Sequence, residues 1–161
     1  MINPNRTPIL IIGVGNEFRR DDAVGLLIAR MIRERGLAGI DAIEHHGDCT
    51  VLPDLWKSHS RVILVDASSS GSPPGTIITF SVKDRNLLPV FRSSSSHILG
   101  VREIVEMARI LGSLPESLTI MAIEGFDFSD GTECSEEVQR AIPQAVQTVL
   151  SLTRQQEELA A

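Results

Sequence analysis

The sequence predicts an α/β fold: a three-layer sandwich with a mostly parallel sheet of about five strands and helices on both faces. Three observations carry this. Apolar runs such as Pro8 to Val14, Arg61 to Asp66 and Leu118 to Ile123 are continuous rather than alternating, the pattern of strands buried on both faces of a parallel sheet. Segments with apolar residues at helical spacing separate them, and the gaps between hold Gly, Pro, Ser and Asp in turn-forming clusters.

The elements follow in order. Pro8 to Val14 is the first strand, with Gly13 at its end. Ala23 to Arg35 sets Val24, Leu27, Ile28, Met31 and Ile32 on one helical face, and Gly36 stops it. Ile40 to Glu44 reads as a strand, Thr50 to Ser58 as a helical segment, and Arg61 to Asp66 as a second buried strand. Ala67 to Gly75 is so dense in Ser, Pro and Gly that it reads as a surface loop, and Thr76 to Val82 alternates like a strand of more exposed type; one antiparallel edge is expected in the sheet. The serine run Ser93 to Ser96 leads into His97. Leu99 to Leu111 carries Val101, Ile104, Val105, Ala108 and Leu111 on one helical face, ahead of the strand Leu118 to Ile123. The last helix opens near Ser135 with Glu136 and Glu137 in its first turn and buries Val138, Ile142, Val146, Val149 and Leu150. Pro143 is expected to kink it, and the polar tail from Arg154 to fray. No repeat or linker divides the chain, so residues 1–161 read as a single domain.

The formal charge of −6 excludes nucleic acid as the expected partner, since that binding needs clustered Lys and Arg. Cys49 and Cys134, the two cysteines, form neither a CxxC pair nor a disulfide framework, which fits a reducing compartment. The N-terminus lacks the layout of a signal peptide and no apolar run is long enough to span a bilayer, so a cytoplasmic protein with no membrane partner is expected.

In parallel sheets ligands gather at the carboxyl ends of the strands. Asp21 and Asp22 follow the first strand, Asp66 ends the third, and His97 lies in the connection after the fourth. Two carboxylates and an imidazole suit Ni²⁺, Zn²⁺, Mn²⁺ or Fe²⁺ with positions left for substrate or water. The plainer alternatives are that Asp21 caps the following helix and that His97 is a solvated loop residue. Gly13-Val14-Gly15-Asn16 invites a dinucleotide reading, but Phe18 stands where the fingerprint needs a small residue, so no nucleotide cofactor is expected. The serines at 68–70 and 93–96 lie in no GxSxG elbow and read as loop residues; Cys49, near His45 and His46, reads as an inert thiol.

The runs GVGNEFRRDDAVG (Gly13 to Gly25), VILVDA (Val62 to Ala67), SSHILG (Ser95 to Gly100) and IEGFDF (Ile123 to Phe128) resemble, in order, those of the hydrogenase maturation proteases. The resemblance implies an endopeptidase that removes a C-terminal peptide from the nickel-loaded precursor of a [NiFe]-hydrogenase large subunit. It implies Asp22, Asp66 and His97 as metal-binding and catalytic residues, with Asp21 a second-choice ligand. Nickel would arrive with the substrate, or a divalent ion such as Ni or Zn would bind the enzyme. Either that metal or the acids alone would activate the attacking water. Gly47, Asp48, Cys49 and Thr50 fall where the family selects its hydrogenase. Cys49 replaces a glycine of that region, which implies an altered loop shape. Alternative readings are a non-catalytic metal-sensing checkpoint or chaperone of the same fold and a general metallopeptidase on small peptides. No long exposed apolar stripe stands out, and a monomer is expected.

Overall fold

The computed structural model of the chain describes residues 8–83 and 100–158. Within them, β1 (Ile9–Gly15), β2 (Ile40–His46), β3 (Arg61–Ser68), β4 (Ile77–Ser81) and β5 (Ser117–Glu124) form one sheet in the order β2-β1-β3-β5-β4. All pairings are parallel except that of β4 with β5, as the sequence pattern predicts. β1 and β3 are buried at every position because they lie inside the sheet with helices above and below; β2 and β4, at the edges, are half exposed.

The helices are α1 (Val24–Glu34), α2 (Leu52–Trp56), α3 (Val101–Ile110) and α4 (Glu136–Glu158), with short 3₁₀ turns at Arg20–Ala23 and Cys49–Val51. α2 and α3 cover one face of the sheet, where Trp56, Ile104 and Val105 meet Leu10, Leu64 and Ile120. α1 and α4 cover the other, where Ile28, Val138 and Val149 meet Ile9, Ile63 and Met121. This is the three-layer sandwich expected, with a hydrophobic core on each side of the sheet.

Several local expectations are corrected. Met31 is exposed, because Gly25 and Ala29 set the face of α1 that meets the sheet. A Cβ on Gly13 would lie 2.0 Å from the Gly25 carbonyl oxygen and 2.7 Å from the Ala29 Cβ, so Gly13 permits close helix–strand packing. Leu111 is exposed because α3 ends at Ile110 and the chain turns away. Ala67 and Ser68 are not loop: β3 continues through them, paired with Ile123 and Glu124. α4 runs through Pro143 and does not fray at Arg154. Thr153 is buried and donates to the Leu150 carbonyl, and the Gln156 amide reaches the Thr119 hydroxyl on β5 at 3.4 Å, anchoring the last turns.

Candidate active site

Because β1, β2, β3 and β5 are parallel, the segments that follow them open at one edge of the sheet. That edge gathers the first sequence motif, Asn16 to Ala23, with Gly47 to Val51, the serine-rich loop after Ser68, and Gly125 to Ser135. Asp22 and Asp66 are both almost fully buried there. Gly25, which opens the first turn of α1, sits so close to the sheet that a Cβ on it would lie 2.4 Å from the Val65 carbonyl oxygen and 2.5 Å from that of Val14. The 3₁₀ turn bearing Asp22 is thereby pressed onto the end of β3 that carries Asp66. The Asp66 carboxylate accepts the Ala67 N–H at 2.8 Å, and Arg19 approaches Asp22 at 4.0 Å.

Cys49 reports on this field. Its thiol is fully buried and its pKa is pushed up to about 12, first by burial and then by the negative charges of Asp66, Asp48, Asp22 and Glu103. One side chain of the Gly47–Thr50 segment thus feels both candidate ligands. Burial and this pKa leave Cys49 a packing residue, not a nucleophile. Gly47 takes the positive φ of 94°, while Cys49 lies in the 3₁₀ turn. Asp48 caps that turn by accepting the Thr50 N–H at 2.9 Å, and the His45 ring meets the Asp48 carbonyl at 2.8 Å.

Asp21 has another duty than the one the sequence suggests. Its carboxylate reaches across the chain rather than capping its own helix: it accepts the N–H groups of Phe126, Asp127 and Ser135 and the Ser135 hydroxyl, all within 2.8 Å. The backbone completes this clasp: Asp21 N–H to Asp127 O, Arg20 N–H to Gly131 O, and Gly131 N–H to Phe18 O. Arg20 is held at φ 43°, a left-handed conformation that costs a non-glycine residue on the order of 1–3 kcal/mol and that these bonds enforce.

Glu124 is a second organiser. Buried at the end of β5, it accepts the Ser68 and Ser70 hydroxyls and the N–H groups of Ser70 and Gly71. Ser68 and Ser70 therefore hold a loop, with no histidine among these partners. Glu44, the residue nearest to a ribose-binding acid, is gripped by Arg30 and Arg33 at 2.6 and 2.7 Å. His97 and Ser93 to Ser96 lie outside the described residues, and among the described residues no cluster of three His, Cys, Asp or Glu side chains could hold a metal ion. Asp22 and Asp66 are two of the three ligands the sequence suggests, and both of their charges raise the Cys49 pKa.

A doubly covered parallel sheet with two buried carboxylates at its carboxyl edge marks an α/β protein whose site sits at that edge. Residues 49–152 match the family model HycI, hydrogenase maturation protease, a span that includes positions 66 and 97. Protein FrxA of Pyrococcus furiosus is 32% identical over 145 residues, covering 85% of this chain and 98% of its own. The hydrogenase 2 maturation protease of Escherichia coli is 26% identical over 152 residues, covering 91% of each. The solved structure of the hydrogenase maturating endopeptidase HybD from E. coli superposes with a TM-score of 0.78 at 22% identity, over 92% of this chain and 93% of that one, and shares its fold. The chain belongs to the hydrogenase maturation protease family. Among the described residues, no helix is long and apolar enough to cross a membrane.

Proposed function

We propose that this protein is the endopeptidase that removes a C-terminal peptide from the nickel-loaded precursor of a [NiFe]-hydrogenase large subunit, with Asp22, Asp66 and His97 forming its metal-facing centre. The observation that carries this reading is the burial of Asp22 and Asp66, from distant parts of the sequence, at adjoining strand ends beside the Gly47–Thr50 segment. The charge of Glu103, in the first turn of α3, acts on the same Cys49 thiol.

The two carboxylates and the imidazole would complete the coordination of the nickel that the substrate carries. An unloaded precursor then lacks the contact that seats it, which makes cleavage conditional on metal insertion. A divalent ion held by these residues would supply Lewis-acid polarisation of the scissile carbonyl. What the chain itself contributes is placement: the strand ends and Gly25 fix both carboxylates, and burial limits access of bulk water to them. Gly47, Asp48 and Thr50, capped and anchored beside the acids over the buried Cys49, form the surface that selects among large subunits.

The test is incubation of the protein with nickel-loaded and nickel-free precursor, following the mass of the C-terminus. Cleavage confined to the loaded form and lost in Asp66→Ala supports the reading. Tight binding of the loaded precursor without cleavage would instead assign the protein to an assembly checkpoint.

A further inference from the structure

The sequence is poor in aromatics, with five Phe, one Trp and no Tyr. Trp56 and Phe80 are buried and Phe128 packs against the core, yet Phe18 is 65% exposed and Phe126 is 72% exposed. Both stand on the clasp around Asp21, at the edge that carries Asp22 and Asp66. The Phe18 carbonyl accepts the Gly131 N–H at 2.9 Å, and its own N–H donates to the Asn16 side chain at 2.9 Å. The Phe126 N–H donates to Asp21 at 2.8 Å. Next to it, Gly125 is pinned between Phe128 and Asp21, so that Phe128 folds under and Phe126 is turned out. Two large apolar rings are thus displayed on backbone that the fold has already fixed, which lowers the ordering cost of a contact made with them.

Phe18 also walls an open groove of about 410 Å³ lined by Gly15, Asn16, Glu17, His46 and Gly47, which runs to the recognition segment. The surroundings are acidic: Glu17, Asp130 and Glu133 are exposed, and Asp127 is paired with Arg20. Ile110 and Leu111 are as exposed as the two phenylalanines, but they precede β5 and so lie at the opposite edge of the sheet, away from the acids.

Building on the endopeptidase reading, we infer that Phe18 and Phe126 are the docking contact for the large-subunit precursor, receiving an apolar patch bordered by basic side chains next to the bond that is cut. The occupant is fixed by continuity with the Asp22–Asp66 edge and its groove, and by the acid around the rings.

The experiment compares wild-type protein with Phe18→Ser/Phe126→Ser, Phe18→Leu/Phe126→Leu and Ile110→Ser/Leu111→Ser, measuring binding of the nickel-loaded precursor and the kinetics of its cleavage. The serine pair at 18 and 126 is expected to weaken binding and raise KM by about tenfold or more with kcat unchanged. The leucine pair should retain most of the affinity, and the change at 110 and 111 should have no effect. Wild-type binding by the Phe18→Ser/Phe126→Ser protein, or an equal loss from Ile110→Ser/Leu111→Ser, overturns the inference. Should the wild type bind the precursor but never cut it, the endopeptidase reading fails, while the binding comparison still decides the docking surface. No binding by the wild type overturns both.

Discussion

The Asp21 carboxylate accepts the Ser135 N–H at 2.6 Å and the Ser135 hydroxyl at 2.8 Å, joining the 3₁₀ turn ahead of α1 to the start of α4. An acid that follows the first strand is thereby tied to the start of the last helix.

Asp21→Ala strands the N–H groups of Phe126, Asp127 and Ser135 in one step. A fully buried donor without a partner costs about 1–3 kcal/mol, and because these donors are part-buried and reach water the variant should lose about 1–3 kcal/mol in all in urea denaturation. Asp21→Asn, which keeps an acceptor oxygen, should lose less; equal stability of the alanine variant and wild type would contradict this role.

Asp22→Ala and Asp66→Ala should reduce precursor cleavage by about a hundredfold or more while leaving the melting transition cooperative. Cleavage within a few-fold of wild type by either variant would remove that residue from the centre. The combined variant should be no worse than the weaker single one, because the two act as a unit.

At Gly25 the conflict of an added Cβ is with two backbone carbonyls, which no side-chain rotation can relieve. Gly25→Ala should therefore lift the start of α1 from the sheet, costing about 1–3 kcal/mol in thermal melts, and should also lower cleavage because Asp22 moves with it. Gly36→Ala, at a position with open space around it, is the comparison for activity: it should leave cleavage intact although its φ of 57° carries some strain.

Glu44 gives a pH dependence. Its carboxyl is held below its ordinary value near 4.5, chiefly by the Arg30 hydrogen bond and further by Arg33. A depressed folded-state pKa contributes stability that is present above about 4.5 and is lost as pH falls through the folded value. Glu44→Gln should thus be less stable than wild type at neutral pH, by no more than about 1 kcal/mol because both arginines are partly exposed, and the gap should be smaller at pH 3. Denaturation curves at the two pH values decide it; a gap that widens in acid would contradict the assignment.

The layers and the mostly parallel strand directions were legible because the continuous apolar pattern of β1, β3 and β5 is that of strands buried on both faces, whereas the strand order was not. Asp22 and Asp66 were legible for the same reason: strand direction alone puts the residues that follow β1 and β3 at one edge. What the sequence could not reveal are the partners of buried acids. The bonds of Asp21 to Ser135 and of Glu124 to Ser68 span most of the chain, and a local reading makes one a helix cap and overlooks the other. The outward turn of Met31 was likewise hidden, since helical spacing counts apolar residues, whereas the close approach of Gly25 and Ala29 decides which face meets the sheet.

Cys49 packs in the core beneath α2 and α3, and Cys134 in the core beneath α1 and α4, its thiol donating to the Arg20 carbonyl at 3.4 Å. The whole sheet stands between them, whereas a disulfide needs Cα atoms only about 4.4–6.8 Å apart. A molecule with both sulfurs joined must first have lost its sandwich. The pair therefore acts as a built-in ledger of opening events: the fraction that migrates as an internally cross-linked species under oxidising, non-reducing electrophoresis counts the molecules that have come apart.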